Sequence, residues 1–422
     1  SSGDGSRLAV SRPSNYVRFY EWSDATNWTM SSEIGLQTNG FGSSMQISRD
    51  GTHVVIGGAG MVSVYEYKSN AWTVKGSTLQ SENSPHNGYG DSVSISDDGT
   101  RVAVGEPQHS NNPFNCTNEA SQGAVSVYEW KIGQSRWDKM GSNFFCHNKT
   151  DDKVGYSVSI SGDGNRVAVG APGADGAEYC DTSMAYYYYG PGGYCYSTSP
   201  NGGQVRVYEW SANSWQLMGG IPGGYIGGAS NSELGTSIAL SRDGSRVIAG
   251  APLDDSCRVN DAGAARVYEW DSSSWVQIGS DLSGTCQYSG ISENQNGRYL
   301  KFGWSVSMVA DGNHVAVGTG SRYGGEVRVF EWKPDWNMWL QMGLTMDNSA
   351  EASAWLYSCQ DMPEYGFGNA VSISQIPRGT RVFVGMPVNV EVRVLQMTTC
   401  DDPVTAPEHG SMGDCRSSLP LG

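Results

Sequence analysis

One phrase returns along almost the whole chain and limits the fold more than any other feature of the sequence. It reads GYSVSISGDGNRVAVGAP from Gly155 to Pro172, followed by QVRVYEW from Gln204 to Trp210 and SWQLMGG from Ser214 to Gly220. The same three parts recur as GDSVSISDDGTRVAVGEP, AVSVYEW and RWDKMGS from Gly90, and as GTSIALSRDGSRVIAGAP, AARVYEW and SWVQIGS from Gly235. Further complete copies start at Gly42 and Gly303. Asp-Gly pairs fall at 50, 98, 163, 243 and 311, with an earlier one at Asp4. A chain that copies one short unit in this way stacks the copies, because a single unit cannot bury its own apolar faces.

Each part carries a strand's pattern. SVSIS and RVAVG alternate small or polar residues with β-branched ones, the period of a strand. The Asp-Gly between them suits a tight hairpin, where glycine accepts positive φ without steric cost. VRVYEW reads as a third strand and the tryptophan-containing SWQLMG as a fourth, so each copy predicts a four-stranded antiparallel meander. Radial stacking of such sheets gives a propeller. The strand-two and strand-three parts occur at Leu8/Phe19, Val54/Val64, Val102/Val127, Val167/Val207, Val247/Val267, Val315/Val329 and Val382/Val394. The first-strand part begins at Gly42, Gly90, Gly155, Gly235, Gly303 and Gly368. The fourth-strand tryptophan is Trp28, Trp72, Trp137, Trp215, Trp275 or Trp339. The expectation is all-β: a seven-bladed β-propeller of four-stranded antiparallel blades over residues 1–397, followed by a cysteine-containing tail at 398–422. Blade one lacks its inner strand and blade seven its outer strand, and one extra segment preceding Ser1 would supply both.

Composition agrees. Glycine supplies 56 of 422 residues, about twice the usual share, without the Gly-X-Y period of collagen. The formal net charge is −16, which argues against nucleic acid or an anionic membrane as partner. No apolar run approaches the roughly 18 residues that span a bilayer. Nine cysteines and sequons at Asn27, Asn115 and Asn148 point to an oxidising, glycosylating compartment, hence a secreted or cell-surface protein. No signal peptide is visible and the chain opens inside a repeat, so a processed or partial chain is expected.

The phrase G-x-S-V-x-x-S-x-D-G-x-R-V-A-V-G-A-P, followed by G-x-V-x-V-Y, resembles the FG-GAP repeat of the integrin α-subunit propeller and related extracellular proteins. The resemblance spans roughly Asp4 to Met397. Copies with the appended VYEW and W-x-Q-M-G look similar to cell-surface repeat proteins of algae and protists, and imply a setting in cell-surface or flagellar-hair (mastigoneme-like) assemblies. Integrin-type repeats often carry a D-x-D-x-D-G calcium loop between strands one and two. Here that hairpin has shrunk to Ser-Gly-Asp163-Gly164 or its equivalents, too few oxygens for calcium, so no metal or other cofactor is expected.

In a propeller the 2–3 and 4–1 loops share one face, and in this chain these are the long ones, including 108–123, 173–203, 279–302 and 344–367. Long loops on a rigid scaffold are where recognition usually sits, so that face is the expected functional face. Cys116 and Cys146 occupy a 2–3 loop and the following 4–1 loop, and Cys257 and Cys286 hold the equivalent places two blades later. Both pairs are predicted as disulfides, as are Cys180–Cys195 within one loop and Cys400–Cys415 in the tail, which leaves Cys359 unpaired. The tail from Cys400 to Cys415 looks like the start of a sushi-type module.

Eleven of the fourteen tryptophans occupy the two repeated strand positions, which favours packing between blades. The binding candidates are the tyrosine-rich loop with Tyr186, Tyr187, Tyr188, Tyr189, Tyr194 and Tyr196, since tyrosine gives large contact area at low entropy cost, and Trp355. The recurring glutamates of VYEW are expected to pair with strand-two arginines such as Arg101, Arg166 and Arg246. His86, His109 and His147 fall in loops near Asp151 and Asp152 and are weak metal candidates. No G-x-S-x-G, H-E-x-x-H or phosphate-binding loop is present.

The reading at this point is a protein that is not an enzyme: an extracellular recognition, adhesion or assembly module presenting disulfide-pinned loops. Its expected partners are other extracellular proteins, copies of itself or glycans. A carbohydrate-binding propeller using loop aromatics is the alternative, and an extracellular hydrolase or lyase the third.

Overall fold

The computed structural model describes the chain except residues 23–27, 37, 82–87, 109–122, 143–151, 177, 182–193, 198, 220–224, 256–260, 285–300, 321–324, 344, 348–366, 377–378, 387–390, 399–415 and 420–422. It is a seven-bladed β-propeller with antiparallel blades. Blade three shows the plan: Ser92–Ile95 innermost, then Arg101–Glu106, Ala124–Lys131 and Arg136–Lys139 at the rim. Valines of successive blades interleave between the sheets. Val205 and Val207 of blade four, for example, pack on Val247 and Ala249 of blade five, all fully buried.

The hairpin between strands one and two is braced the same way in blades one to five. In Ser161-Gly162-Asp163-Gly164-Asn165, the serine hydroxyl donates to Asp163 (2.6 Å), and that carboxylate accepts the Asn165 amide (2.9 Å). Gly164 closes the turn at φ +71°, a conformation that glycine adopts at no steric cost. The strand-two arginine then reaches into the next blade's hairpin: Arg166 donates to Gly244 O (3.3 Å) and Arg246 to Gly312 O (3.2 Å). The same arginines pair with the VYEW glutamates, as the sequence indicates: Arg101–Glu129 at 3.0 Å, Arg166–Glu209 and Arg246–Glu269 at 2.8 Å.

The tryptophans also pack as expected. Trp130 and Trp137 lie 5.3 Å apart. The Trp137 indole donates to Lys75 O of the preceding blade (2.8 Å), and Trp215 does so to Met140 O (2.9 Å). Strand four breaks at the glycine of its M-G or equivalent phrase. Gly76, at φ +80°, has no room for a Cβ against Trp130, which would lie 2.6 Å away. A short second piece, Leu79–Gln80 in blade two, then resumes pairing with strand three.

The terminal blades need one correction. Blade one does have three strands, Arg7–Arg12, Tyr16–Trp22 and Trp28–Gly35, with no inner strand among the described residues. Blade seven, expected to lack its outer strand, has four: Arg416–Leu419 from the tail pairs with Glu391–Thr398. In blade one, Ser11 stands where other blades have a strand-two glycine. Its hydroxyl donates to Gly42 O (2.6 Å), replacing the bond that an inner-strand serine makes elsewhere, as Ser44 does to Gly90 O (2.6 Å).

Ring closure joins blade seven to blade one. Arg381 is buried and donates to Gly5 O (2.6 Å), while Leu8 and Trp28 pack on Phe383 and Val394. Among the described residues no helix is long and apolar enough to cross a membrane.

Candidate active site

The inner strands begin at the loop face, each out of one tight turn. An apolar residue sinks into the core (Tyr89, Val154, Leu234 or Phe302), and a glycine at φ +83° to +93° follows it. At Gly303 a Cβ would lie 2.2 Å from Ala264 O, so backbone crowding as well as φ demands glycine. The turn closes when the residue after the glycine donates its amide back: Asp91 to Gly88 O (2.9 Å), Tyr156 to Lys153 O (3.0 Å), Thr236 to Glu233 O (3.2 Å), Trp304 to Lys301 O (3.1 Å). Lys153, Glu233 and Lys301 all take left-handed φ, between +52° and +55°. Non-glycine residues held there cost energy, and such strain gathers at functional positions.

The turn geometry repeats but its side chains do not. At the position after the glycine, where the inner strand starts beside the axis, blades three to seven carry Asp91, Tyr156, Thr236, Trp304 and Asn369. Blades four to six carry Lys153, Glu233 and Lys301 two residues before the glycine. Burial raises the Asp91 carboxyl above its ordinary range even though the residue keeps an open side. Burial, and after it the negative charges of Glu233 and Asp91, hold the Tyr156 phenol up as well. Tyr156 of blade four thus lies within electrostatic reach of Asp91 from blade three and Glu233 from blade five. The Lys301 ammonium sits 5.7 Å from the Trp304 ring centre and adds positive charge beside it. Such a group, able to hold a proton, take one and face a developing negative charge, is a site for acid–base chemistry.

One other charged cluster is occupied. Arg266, half encircled by Asp254 (2.7 Å) and Asp281 (2.8 Å), is fully paired. No group of three or more histidine, cysteine, aspartate or glutamate side chains fit to hold a metal occurs among the described residues.

Most sequence-derived candidates lie outside the described residues: Tyr186, Tyr187, Tyr188, Tyr189, Trp355, His86, His109, His147, the three sequon asparagines, and the cysteines other than Cys180 and Cys195. Glu178–Asp181 and Tyr194–Ser197 form a two-stranded ladder in which Cys180 stands opposite Cys195, with Tyr194 and Tyr196 on the second strand. The axial group was missed because pattern reading follows what recurs. The available signal was a repeating position whose occupants stop repeating.

No family model and no curated protein matches the chain. Solved structures do. The chain is similar to a putative 6-phosphogluconolactonase from Bacteroides uniformis at 10% identity, over 99% of this chain and 98% of that one, with a TM-score of 0.57. It is also similar to the periplasmic gluconolactonase PpgL of Pseudomonas aeruginosa (14% identity, 99% and 96% coverage, TM-score 0.55). The β-propeller domain of Cps50 (Swd1) from Myceliophteria thermophila gives 9% identity, 94% and 95% coverage and a TM-score of 0.51. At these identities the likeness carries the fold. The expectation of a non-enzymatic adhesion or assembly module is corrected by the descriptions of two propellers matched end to end, a putative 6-phosphogluconolactonase and a gluconolactonase.

Proposed function

We propose that the chain is a hydrolase of small lactones, with the axial mouth on the loop face as its reaction site. The observation that carries this reading is the convergence of Asp91, Tyr156 and Glu233 from three successive blades, with Asp91 and Tyr156 both shifted toward their protonated forms. The lactonase descriptions of two whole-length structural neighbours support the substrate class.

The chemistry is addition of water to a ring ester. A carboxylate, Glu233 or Asp91, takes the water's proton as its oxygen attacks the carbonyl carbon. The protonated Tyr156 phenol donates to the carbonyl oxygen as negative charge grows there. Collapse breaks the ring C–O bond, the released alkoxide takes the proton from the carboxylate base, and the new acid gives its own proton to solvent, leaving a carboxylate that Lys153 or Lys301 faces. Positioned donors of this kind are worth about 10²–10³ in rate, and a general base about 10²–10⁴.

The repeat unit we read as FG-GAP-like. Phe302-Gly303 forms the axial turn and Gly250-Ala251-Pro252 ends a strand two. An extracellular setting goes with it, supported by cysteines gathered in loops.

The test is proton release from δ-gluconolactone and 6-phosphogluconolactone followed at constant pH. Acceleration over spontaneous opening is expected. Tyr156→Phe should lower kcat about 10²-fold and Asp91→Asn at least tenfold, without loss of fold by circular dichroism. Rates equal to the spontaneous ones with both lactones would overturn the reading.

A further inference from the structure

The opposite end of the axis holds a second site of different chemistry. There the seven hairpins meet around a cavity of about 170 Å³, the volume of roughly six waters. Its rim is stitched by main chain: Asp97 N donates to Gly162 O (3.0 Å), Gly162 N to Arg242 O (2.8 Å), and Arg242 N to Ala310 O (2.9 Å). These residues, each the second of its hairpin, therefore sit at the mouth on a fixed frame.

Three side chains of the wall have spent their acceptors and kept their donors. Gln46 Oε1 accepts the Ile95 amide (2.8 Å), Ser159 Oγ the Leu240 amide (3.0 Å) and Ser307 Oγ the Ile373 amide (3.2 Å). What these side chains have left for the cavity is the Gln46 amide N–H groups and two hydroxyl protons. At the rim, Arg242 Nε pairs with Asp97 Oδ2 (2.5 Å), while Arg49 makes no ion pair among the described residues. Two guanidiniums thus meet one carboxylate, a local surplus of one positive charge on a chain of net charge −16.

We infer that this cavity binds a small oxyanion, carboxylate or phosphate, held by Arg49 and Arg242 with the Gln46 amide and the Ser159 and Ser307 hydroxyls as neutral donors. Hydrogen bonds from charged donors to such ions are the strong ones. Asp97 competes with the ligand for Arg242, so its charge opposes binding. This site is independent of the lactone reading, which concerns the other end of the axis.

The test is calorimetric titration at low ionic strength with inorganic phosphate and, separately, acetate, the two arms distinguishing the sources of the oxyanion. Saturable binding of at least one is expected. Arg49→Gln should weaken it about tenfold, the scale of one charged hydrogen bond. Asp97→Asn should tighten it several-fold, a sign that a purely structural role for the Asp97–Arg242 pair would not give. Tyr156→Phe should leave it unchanged. Absence of saturable heat with both ions, or binding indifferent to Arg49→Gln and Asp97→Asn, would overturn the inference.

Discussion

Asp163 and its four counterparts Asp4, Asp50, Asp98 and Asp243 are the small parts on which the ring turns. Partial burial alone would raise each carboxyl. The serine two residues back and the amide and side chain two residues ahead outweigh it, so each ends below its ordinary range. Because the folded value lies below the unfolded one of about 3.9, the unfolded chain binds more protons in acid. This stability is fully present above about pH 4 and is lost as pH falls through the folded values. Acid unfolding followed by circular dichroism should begin below that pH, and Asp163→Ala should cost about 1–2 kcal/mol at pH 7 while flattening the acid limb. His53 adds a milder slope: burial and the nearby Lys75 lower it from its ordinary 6.5, so its share of stability falls as pH drops below that value. Asp-Gly hairpins were legible in the sequence, since aspartate and glycine at a turn have few other uses. The serine brace was legible only as spacing, and Asp91 and Tyr156 not at all, because their distinguishing property is to vary where the frame stays fixed.

At the level of the strand, the repeat specified more than its own period. Strand four is marked in the sequence by its tryptophan, and the marker works only where that residue is present. At Trp137, Trp215 and Trp339 it locks a blade to the one before through the indole N–H. The last outer strand, Arg416–Leu419, has no tryptophan, so the pattern passed over it. Deleting residues 399–422 should leave Glu391–Thr398 as an open edge and lower Tm by several degrees in calorimetry. Ser11 is the converse case: the substitution of serine for the repeat's glycine reports a blade without an inner strand. Ser11→Gly should destabilise by about 1 kcal/mol, whereas at Gly57, where Ser44 Oγ already sits 2.7 Å from a Cβ, glycine→serine should destabilise through crowding.

Seven blades make a ring only if the ends meet, and Arg381 is one residue through which they do. Its guanidinium lies 4.5 Å from the Trp22 ring centre and 5.6 Å from that of Trp28 while bonding Gly5 O, so blade seven grips the hairpin and outer strands of blade one together. Arg381→Met should lower Tm and broaden the unfolding transition as blades one and seven part first. A closed ring also gives the molecule an axis with two chemically unlike ends. One end brings acids and a phenol together from Asp91, Tyr156 and Glu233. The other offers donors and a surplus of positive charge at Arg49 and Arg242. The most direct test of this arrangement is a crystal structure with a non-hydrolysable lactam analogue of gluconolactone. The account predicts the lactam carbonyl oxygen within hydrogen-bonding distance of Tyr156 Oη at the loop-face mouth. Density for the analogue at the hairpin end, or on the outer rim of a blade, would contradict it.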